Sequence, residues 1–280
     1  MKLSIVTINY NNAEGLNRTL DSIASQTYRD IEHVIVDGAS TDGSVDVIRE
    51  YALKIESRVP RVKSVVWSSE QDNGIYNAMN KGLRKATGSY IQILNSGDTL
   101  AAPDVVEKMM IAIEKAEYPE ILYGNMIKQW PDGKRIMDKG GEGHLSMLSF
   151  YHGTLNHDSA YIRRDIFDKF GLYDEKLKIV SDWKWYLQAI PLGGIVPVYV
   201  DIDVTIFDMT GVSESNTAFW KVERRPVLDE LVPPMILADY DKYGEDMRRI
   251  DRLHKHHLYG IVWFIERVLF KLEKWHILRG

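Results

Sequence analysis

The chain has 280 residues, enough for one large α/β domain with a smaller appendage. Its formal net charge of -5 at pH 7 argues against a general nucleic-acid binder, and the absence of cysteine excludes a disulfide scaffold or a cysteine-ligated zinc site. The apolar run from Leu3 is too short for a signal peptide, and no stretch approaches the roughly 18–20 apolar residues that span a bilayer, so we expect a cytoplasmic protein that begins at or near Met1.

The first half of the chain alternates predicted strands and helices. Apolar runs predict strands over residues 3–8, 31–36, 63–67 and 89–94. Apolar side chains at helical spacing predict helices over residues 14–25, 44–55, 75–86 and 104–116. Repeated strand–helix units of this length predict a mostly parallel sheet with helices on both faces, and ligands of such sheets bind beyond the carboxyl ends of the strands.

The pattern changes after residue 118. A turn signal at residues 130–133 predicts a hairpin, which a glycine-rich loop follows. The remaining predicted elements are short strands over residues 159–162, 195–199 and 204–207, and helices from about residue 164 and over residues 182–190. From about residue 216 onward the sequence is typical of helices. We therefore predict an α/β domain over residues 1–215 and a helical extension over residues 216–280.

Polar side chains follow each of the first four predicted strands, over residues 7–12, 37–42, 70–74 and 95–98. Any one of these loops is typical of turns and helix caps. Four of them at one edge of a parallel sheet predict a nucleotide site. Neither a dinucleotide-binding glycine fingerprint nor a P-loop accompanies the first strand.

Three carboxylates stand out in these loops. Asp37 and Asp72 are placed to accept hydrogen bonds from a base or a ribose. Asp98 is placed where Mg²⁺ or Mn²⁺ would bridge it to a diphosphate, since Mg²⁺ is commonly held by one or two protein carboxylates plus phosphates and water. Such a cation would offset the charge that develops on a departing nucleotide diphosphate.

As an ordered set, four motifs resemble the family 2 glycosyltransferases, which have a GT-A fold. They are residues 6–11 (VTINYN), 35–42 (IVDGASTD), 71–90 (from QDNGIYNAMN to KATGSY) and 94–98 (LNSGD). The resemblance covers roughly residues 1–215. It implies an inverting transferase that uses a nucleotide-sugar, with UDP the usual nucleotide, and a divalent cation. One departure is that Ser96 stands at the first acidic position of the family's Asp-X-Asp metal motif, which leaves Asp98 as its carboxylate.

The resemblance also implies an acceptor and a set of donor-binding residues. The acceptor would be a hydroxyl of a glycan or glycolipid, in the synthesis of a surface polysaccharide or a lipid-linked oligosaccharide. His157 resembles a histidine found at this place in relatives, which implies a contact with the donor phosphates or with the acceptor, although a satisfied, half-buried histidine is an equal expectation. The predicted donor-binding residues are Thr7, Asn9, Tyr10, Asp37, Gly38, Ser40, Asp72, Asn73, Gly74, Asn95, Ser96 and His157.

An inverting transferase needs a base that removes the proton of the acceptor hydroxyl. Asp182 opens a predicted helix, a position that by itself favours a helix cap and dipole partner. The resemblance implies instead that Asp182 is the base, and a helix N-terminus would keep it ionised at pH 7. The neighbouring Trp183 and Trp185 could stack on a sugar ring, but core packing is the stronger expectation.

The C-terminal tail is basic and amphipathic. Residues 247–280 hold eight Lys or Arg and three Asp or Glu, a local balance of 8 − 3 = +5. Two roles remain open for this helix: packing on the α/β domain or a partner subunit, and docking on an anionic membrane surface at the inner face of the membrane. The apolar face consists of Leu258, Ile261, Val262, Ile265, Leu269 and Leu272, with Arg267, Lys271 and Lys274 opposite.

Two other functions compete with glycosyl transfer. A sugar nucleotidyltransferase would carry a glycine-rich, basic loop after the first strand, where this chain has residues 9–12 (NYNN). A non-catalytic nucleotide-sugar or glycan-binding module gains some support from Ser96. The presence of both Asp98 and Asp182 argues against such a module.

Overall fold

In the computed structural model, four parallel strands form the N-terminal half of the sheet. They are β1 (Leu3–Asn9), β2 (Ile31–Asp37), β3 (Val62–Ser69) and β4 (Tyr90–Ile93). β1 lies between β2 and β4, and β3 pairs with β2. β1 and β2 are buried along almost their whole length because both of their faces are covered. The predicted parallel sheet is confirmed.

The structure describes residues 1–57, 62–140, 145–210, 217–254 and 259–277. The chain divides into two compact units, Met1–Val227 and Leu228–Gly280. The predicted boundary between residues 215 and 216 lies outside the described residues.

Helices cover both faces of these strands. On one face, Leu16 and Met109 share a buried apolar cluster with Ile5 of β1. On the other face a helix approaches so closely that a Cβ atom at Gly82 would clash with the side chain of Val6, which points away from Ile5 because strand side chains alternate. The helices are α1 (Ala13–Ala24), α2 (Ser44–Ser57) and α4 (Val105–Lys115) on the first face, and α3 (Ile75–Lys85) on the second.

The second half of the sheet mixes parallel and antiparallel pairs. Its strands are β5 (Thr99–Leu100), β6 (Ile121–Gln129), β7 (Arg135–Asp138), β8 (Ala160–Arg163) and β9 (Val198–Asp208). β8 joins β4 to β6 and runs antiparallel to both, whereas β9 runs parallel to β6. The order across the sheet is β3-β2-β1-β4-β8-β6-β9-β5, and β7 forms the predicted hairpin with β6.

Two predictions of local structure were wrong. The two strands expected over residues 195–199 and 204–207 are one strand, β9, because Asn125 donates to Asp201 at 2.8 Å and to Asp203 at 3.0 Å and so satisfies the polar residues in its middle. The expected loop before Gly153 contains a helix, α5 (Met147–His152), that begins with a capping box.

Two further helices, α6 (Asp165–Phe170) and α7 (Ser181–Ala189), carry an aromatic core. Trp183 and Trp185 are each 1% exposed, and their ring nitrogens donate to the carbonyl groups of Phe150 and Gly171. Trp185 also stacks on Phe167, with ring centroids 4.8 Å apart. The expected core role of both tryptophans is confirmed, and this burial leaves no ring face for a sugar.

The tail is helical, as predicted. It consists of α8 (Thr217–Leu231), α9 (Pro234–His254) and α10 (Tyr259–Ile277). Within the described ranges, none of the helices combines the length and the apolar character that crossing a membrane requires.

Candidate active site

Three neighbouring strands end in side chains that hold one another. Asn9, Asp37 and Ser69 are paired across β1, β2 and β3. The carboxylate of Asp37 accepts hydrogen bonds from Asn9 Nδ2 at 2.8 Å and Ser69 Oγ at 2.6 Å. It also accepts from the backbone N–H of Ser40 at 2.9 Å and from its hydroxyl at 2.6 Å. These four donors occupy both carboxylate oxygens.

The charge of Asp37 is therefore stabilised by the protein itself. Burial would raise the pKa of this carboxyl, but the hydrogen bonds from Ser40, Ser69 and Asn9 outweigh it and lower the pKa below the ordinary value. Asp37 thus holds the loops at this edge together through its hydrogen bonds. Its acceptor positions are already filled by groups of the protein itself.

An exposed aromatic ring and a carboxylate flank these loops. Tyr10 is 69% exposed. A Cβ atom at Gly38 would lie 3.1 Å from both the Tyr10 ring and Asp72 Oδ2, so a larger residue there would require these side chains to shift. Asp72 is paired with Lys81 at 2.7 Å. At Gly74 the backbone has a φ of 111°, a conformation that favours glycine, and α3 begins directly after it.

The loop after β4 places Asp98 in a buried, acidic environment. Asp98 is 4% exposed, and its Oδ1 accepts the backbone N–H of Asp208 at 2.8 Å. Burial, with the nearby charge of Asp158, raises the pKa of Asp98 well above its usual range. The preceding residues are also tied down, since Asn12 donates to the Ser96 carbonyl at 3.1 Å.

The residues around Asp98 fit a divalent cation only if other groups supply most of its ligands. Within the ranges that the structure describes, no group of three or more His, Asp or Glu side chains is arranged to hold a metal ion. Mg²⁺ is commonly held by one or two carboxylates together with substrate phosphates. Asp98 can supply such a carboxylate, and phosphate oxygens would have to supply much of the remaining coordination.

Asp182 lies in the first turn of α7, between a tyrosine and a histidine. Its Oδ1 accepts a hydrogen bond from the Tyr76 hydroxyl at 2.8 Å, and its Oδ2 lies 3.3 Å from His157 Nδ1. The other ring nitrogen of His157, Nε2, lies 3.2 Å from Asp158 Oδ1 and 3.2 Å from Asn95 Nδ2. Four segments of the chain thus meet at one point.

His157 is an imidazolium in this arrangement. Burial alone would lower the pKa of its ring, but the carboxylates of Asp158 and Asp182 outweigh burial and raise the pKa well above the ordinary value. The pKa of Asp182 is lowered: burial opposes ionisation, but His157 and Tyr76 outweigh it. At neutral pH, Asp182 is an ionised carboxylate, with His157 and Tyr76 as its side-chain donors and the backbone N–H of Trp183 as a further one.

The charge on His157 also decides the orientation of Asn95. A doubly protonated ring donates from both nitrogens, yet the Asn95 amide nitrogen faces Nε2 while its Oδ1 is buried without a hydrogen-bond partner. Rotating the amide by 180° places Oδ1 against the Nε2–H and removes the conflict between two donors, because amide oxygen and nitrogen are distinguished only by their partners. Asn95 therefore accepts from His157.

Helix α8 braces the segment that leads into Asp182. The Glu223 carboxylate accepts the backbone N–H groups of Lys178 at 2.8 Å and Ile179 at 2.9 Å. The Arg224 guanidinium lies over the rings of Trp183 at 4.6 Å and Trp220 at 4.5 Å. Burial lowers the pKa of Arg224 to about 10, so it remains charged at neutral pH.

Comparison with known proteins identifies the family. Residues 4–173 match the family described as glycosyl transferase family 2. The chain belongs to this family. An uncharacterized glycosyltransferase of Mycobacterium tuberculosis, Rv1514c, is 30% identical over 237 residues, which cover 82% of this chain and 85% of that protein. The PGL/p-HBAD biosynthesis glycosyltransferase of Mycobacterium bovis BCG is 29% identical over 214 residues, covering 76% and 79%.

Solved structures share the fold. S. aureus TarS in complex with UDP-GlcNAc superposes with a TM-score of 0.63 at 19% identity, over 80% of this chain and 65% of that one. The mannosyltransferase PcManGT of Pyrobaculum calidifontis, in complex with GDP-Man and Mn²⁺, gives a TM-score of 0.59 at 19% identity, over 80% of this chain and 60% of that one. The predicted GT-A fold and the predicted glycosyltransferase class are confirmed.

Most of the predicted donor-binding residues of this family 2 glycosyltransferase lie at the strand-end edge. Thr7 does not: it is fully buried, and its hydroxyl lies 3.0 Å from Nε2 of His33 beneath the edge. Burial lowers the pKa of His33 to about 3, so this contact joins neutral groups. The geometry gives no support to a donor-binding role for Thr7. Asn9 and Asp37 are the last residues of β1 and β2, and the other residues of the set lie in the loops after β1 to β4, except His157, which precedes β8.

Three residues of the surroundings of Asp182 could not be predicted from the sequence. Tyr76 lies inside a quoted motif, but nothing local to that motif shows that its hydroxyl reaches α7. Asp158, next to His157, is 2% exposed and faces the ring. Glu223 lies in the helical extension, on α8, and accepts the backbone N–H groups before Asp182.

Proposed function

We propose that this family 2 glycosyltransferase is an inverting enzyme that transfers a monosaccharide from a UDP-sugar to a hydroxyl group of a glycan or lipid-linked acceptor. The observation that carries the proposal is the ionised Asp182 carboxylate, held by Tyr76 and His157 and joined through His157 and Asn95 to the loop after β4. A positioned carboxylate that stays ionised at neutral pH is the group that base catalysis of this transfer requires.

The donor side of the proposal rests on the strand-end loops. Tyr10 presents an exposed ring on which a base can stack, and Asp72 stands beside it. The solved relatives support a nucleotide-sugar donor, because TarS is described with UDP-GlcNAc and PcManGT with GDP-Man. The loops do not by themselves distinguish uracil from guanine, so a binding screen of UDP, GDP, dTDP and CMP decides the nucleotide.

A divalent cation belongs to the proposal through Asp98. The Mn²⁺ described with PcManGT supports its use within this fold. When bound, the cation would neutralise charge on the diphosphate. Asp98 would hold it, and the backbone N–H of Asp208 fixes the orientation of the Asp98 carboxylate.

The chemistry that we propose for Asp182 is a single proton transfer coupled to substitution. The acceptor O–H bond breaks and its proton passes to the Asp182 carboxylate. The electron pair left on the acceptor oxygen forms the new bond to the anomeric carbon, and the bond from that carbon to the diphosphate oxygen breaks with its electrons on the leaving nucleotide. Attack opposite the leaving group inverts the configuration at the anomeric carbon.

The test compares Asp182→Asn with a matched surface variant, Asp168→Asn on α6, by following sugar transfer from radiolabelled UDP-sugars and UDP binding by calorimetry. We expect Asp182→Asn to lower transfer by at least about 1,000-fold and to leave UDP affinity unchanged, while Asp168→Asn behaves as the natural protein. Undiminished transfer by Asp182→Asn would refute the assignment. Proton NMR coupling of the product's anomeric hydrogen decides inversion against retention.

The acceptor side of the proposal includes an anionic membrane surface. Every side chain from Ile261 to Glu273 on α10 is exposed, including Trp263, Phe264 and Phe270. Together with the local balance of +5 over residues 247–280, this combination is typical of helices that lie in a membrane interface. A lipid-linked acceptor would be presented at such a surface.

A non-catalytic binding module is the second candidate, and Ser96 is the observation that favours it. If nucleotide binding is found without any transfer to glycan or glycolipid acceptors, that candidate takes the place of the transferase.

A further inference from the structure

We propose that Tyr76 is a positioning residue that fixes the carboxylate of Asp182 and presents its Oδ2 atom to the acceptor hydroxyl. The inference rests on the proposed role of Asp182 as the base. Tyr76 lies in the first turn of α3 and Asp182 in the first turn of α7, 106 positions later in the chain. The hydroxyl of Tyr76 joins these two helix starts.

The Tyr76 hydroxyl faces two acceptors. It lies 2.8 Å from Asp182 Oδ1 and 2.6 Å from the carbonyl oxygen of Ile179. A hydroxyl carries one proton, and an ionised carboxylate takes it in preference to a neutral carbonyl because the hydrogen bond is then charge-assisted. Once Asp182 has accepted a proton, the Tyr76 hydrogen can turn to Ile179. Tyr76 therefore has an acceptor in both protonation states of the base.

The two carboxylate oxygens of Asp182 are not equivalent. Tyr76 caps Oδ1 at 2.8 Å, whereas the contact of Oδ2 with His157 Nδ1 is longer, at 3.3 Å. Oδ2 is thus the oxygen with the longer of the two side-chain contacts. In the transfer step the acceptor O–H bond breaks and an Oδ2–H bond forms, while the electron pair of the broken bond goes to the new glycosidic linkage. Capping Oδ1 prevents the carboxylate from rotating away from this geometry.

The surroundings make Tyr76 a rigid support. The side chain is 5% exposed, and its ring packs against Tyr173 with centroids 5.6 Å apart. Asp182 also influences the pKa of other titratable groups around it. They are His157 before β8, Tyr173 before α7, Tyr186 on α7 and Arg224 on α8. Among these groups and Tyr76, only Tyr76 and His157 contact the carboxylate through a hydrogen bond or a close ion pair in the described residues.

Tyr173 supplies a matched control. Its hydroxyl is buried near Asp182 but has no hydrogen-bond partner in the described part of the chain. Removing it changes the same atom on a neighbouring ring without removing a contact to the carboxylate. A general loosening of the aromatic cluster would therefore affect Tyr173→Phe and Tyr76→Phe alike.

The experiment is a ¹³C NMR titration of aspartate carboxylates in the full chain, with Asp182→Asn to assign the Asp182 signal. In Tyr76→Phe we expect the pKa of Asp182 to rise by about one to two units, the effect of losing a hydrogen bond to a charged group. In Tyr173→Phe we expect no shift. Calorimetric binding of UDP by each variant serves as the folding control. Equal pKa values of Asp182 in the two variants would overturn the inference.

A second substitution keeps the test decisive if Tyr76→Phe folds poorly. Fluorotyrosine at position 76 retains the ring and is a stronger donor, so we expect it to lower the pKa of Asp182; an unchanged or raised pKa contradicts the inference. The experiments distinguish failure of this inference from failure of the proposed function. A pKa shift in Tyr76→Phe combined with full transfer by Asp182→Asn supports the Tyr76–Asp182 coupling and overturns the role of Asp182 as base.

Discussion

The Nδ1 atom of His157 lies 3.3 Å from Asp182 Oδ2, so a protonated ring meets the carboxylate that we assign as the base. The other nitrogen of the ring faces Asp158 at 3.2 Å. His157 thus links two carboxylates of one buried site, and its positive charge keeps Asp182 ionised. This contact makes the basicity of Asp182 depend on a residue that was predicted to bind the donor.

Replacing His157 by glutamine should move the pH dependence of activity and remove a pH-dependent contribution to stability. Loss of the imidazolium raises the pKa of Asp182, so the acid limb of the pH–rate profile should move upward. The folded-state pKa of His157 is raised above 6.5, so its contribution to stability is complete below that pH and is lost as pH rises through the raised pKa. We expect a cost of about 2 kcal/mol at pH 6.

Urea unfolding of both proteins from pH 6 to pH 9 checks this prediction. The difference in unfolding free energy should be largest at pH 6 and should shrink toward alkaline pH. A difference that grows with pH would mean that His157 is neutral in the folded protein.

Tyr10→Ala should weaken UDP binding without unfolding the protein. Stacking of a base on an aromatic ring contributes about 1–3 kcal/mol, which corresponds to a loss of roughly 5- to 150-fold in affinity. The ring is largely exposed, so its removal leaves no cavity. Tyr243→Ala, at another exposed tyrosine on α9, is the control for calorimetry. Equal UDP affinities of the two variants would remove Tyr10 from the nucleotide site.

Removal of divalent cations should weaken UDP binding in the natural protein but not in Asp98→Asn. The asparagine variant should bind UDP weakly both with Mn²⁺ and with EDTA, because it lacks the carboxylate that holds the cation. Asp104→Asn, which removes an exposed carboxylate paired with Lys108, should keep the metal dependence. If Asp98→Asn retains a full response to Mn²⁺, the cation is held elsewhere or by the nucleotide alone.

Charges placed on the apolar face of α10 should abolish membrane binding. The double variant Ile265→Asp with Leu269→Asp should no longer sediment with vesicles that contain phosphatidylglycerol, while the natural protein should bind them and release them as salt rises. Ile236→Asp, at an exposed apolar residue of α9, is the control. Binding that survives the double variant would direct attention to a protein partner for this helix.

The local pattern of apolar residues was sufficient to predict the strands and helices of the N-terminal half. The runs at residues 3–8 and 31–36 were identified as strands because both of their faces are buried, and this burial leaves a mostly apolar signal. The same signal failed at β9, where Asp201 and Asp203 interrupt the apolar run. The donor that satisfies them, Asn125, comes from another strand.

The sequence by itself determined that polar loops gather at one edge of a parallel sheet, because the direction of strand–helix units follows from chain order and local periodicity. It also determined Asp98 and Asp182 as candidate residues through their motifs. Only the tertiary structure decided their environments. Tyr76 contacts Asp182 across 106 positions of the chain, and Glu223 accepts a hydrogen bond from the backbone before Asp182. His33 contacts the Thr7 hydroxyl beneath the edge of the sheet. These contacts depend on which faces of distant helices and strands pack together, and the local sequence pattern does not predict that packing.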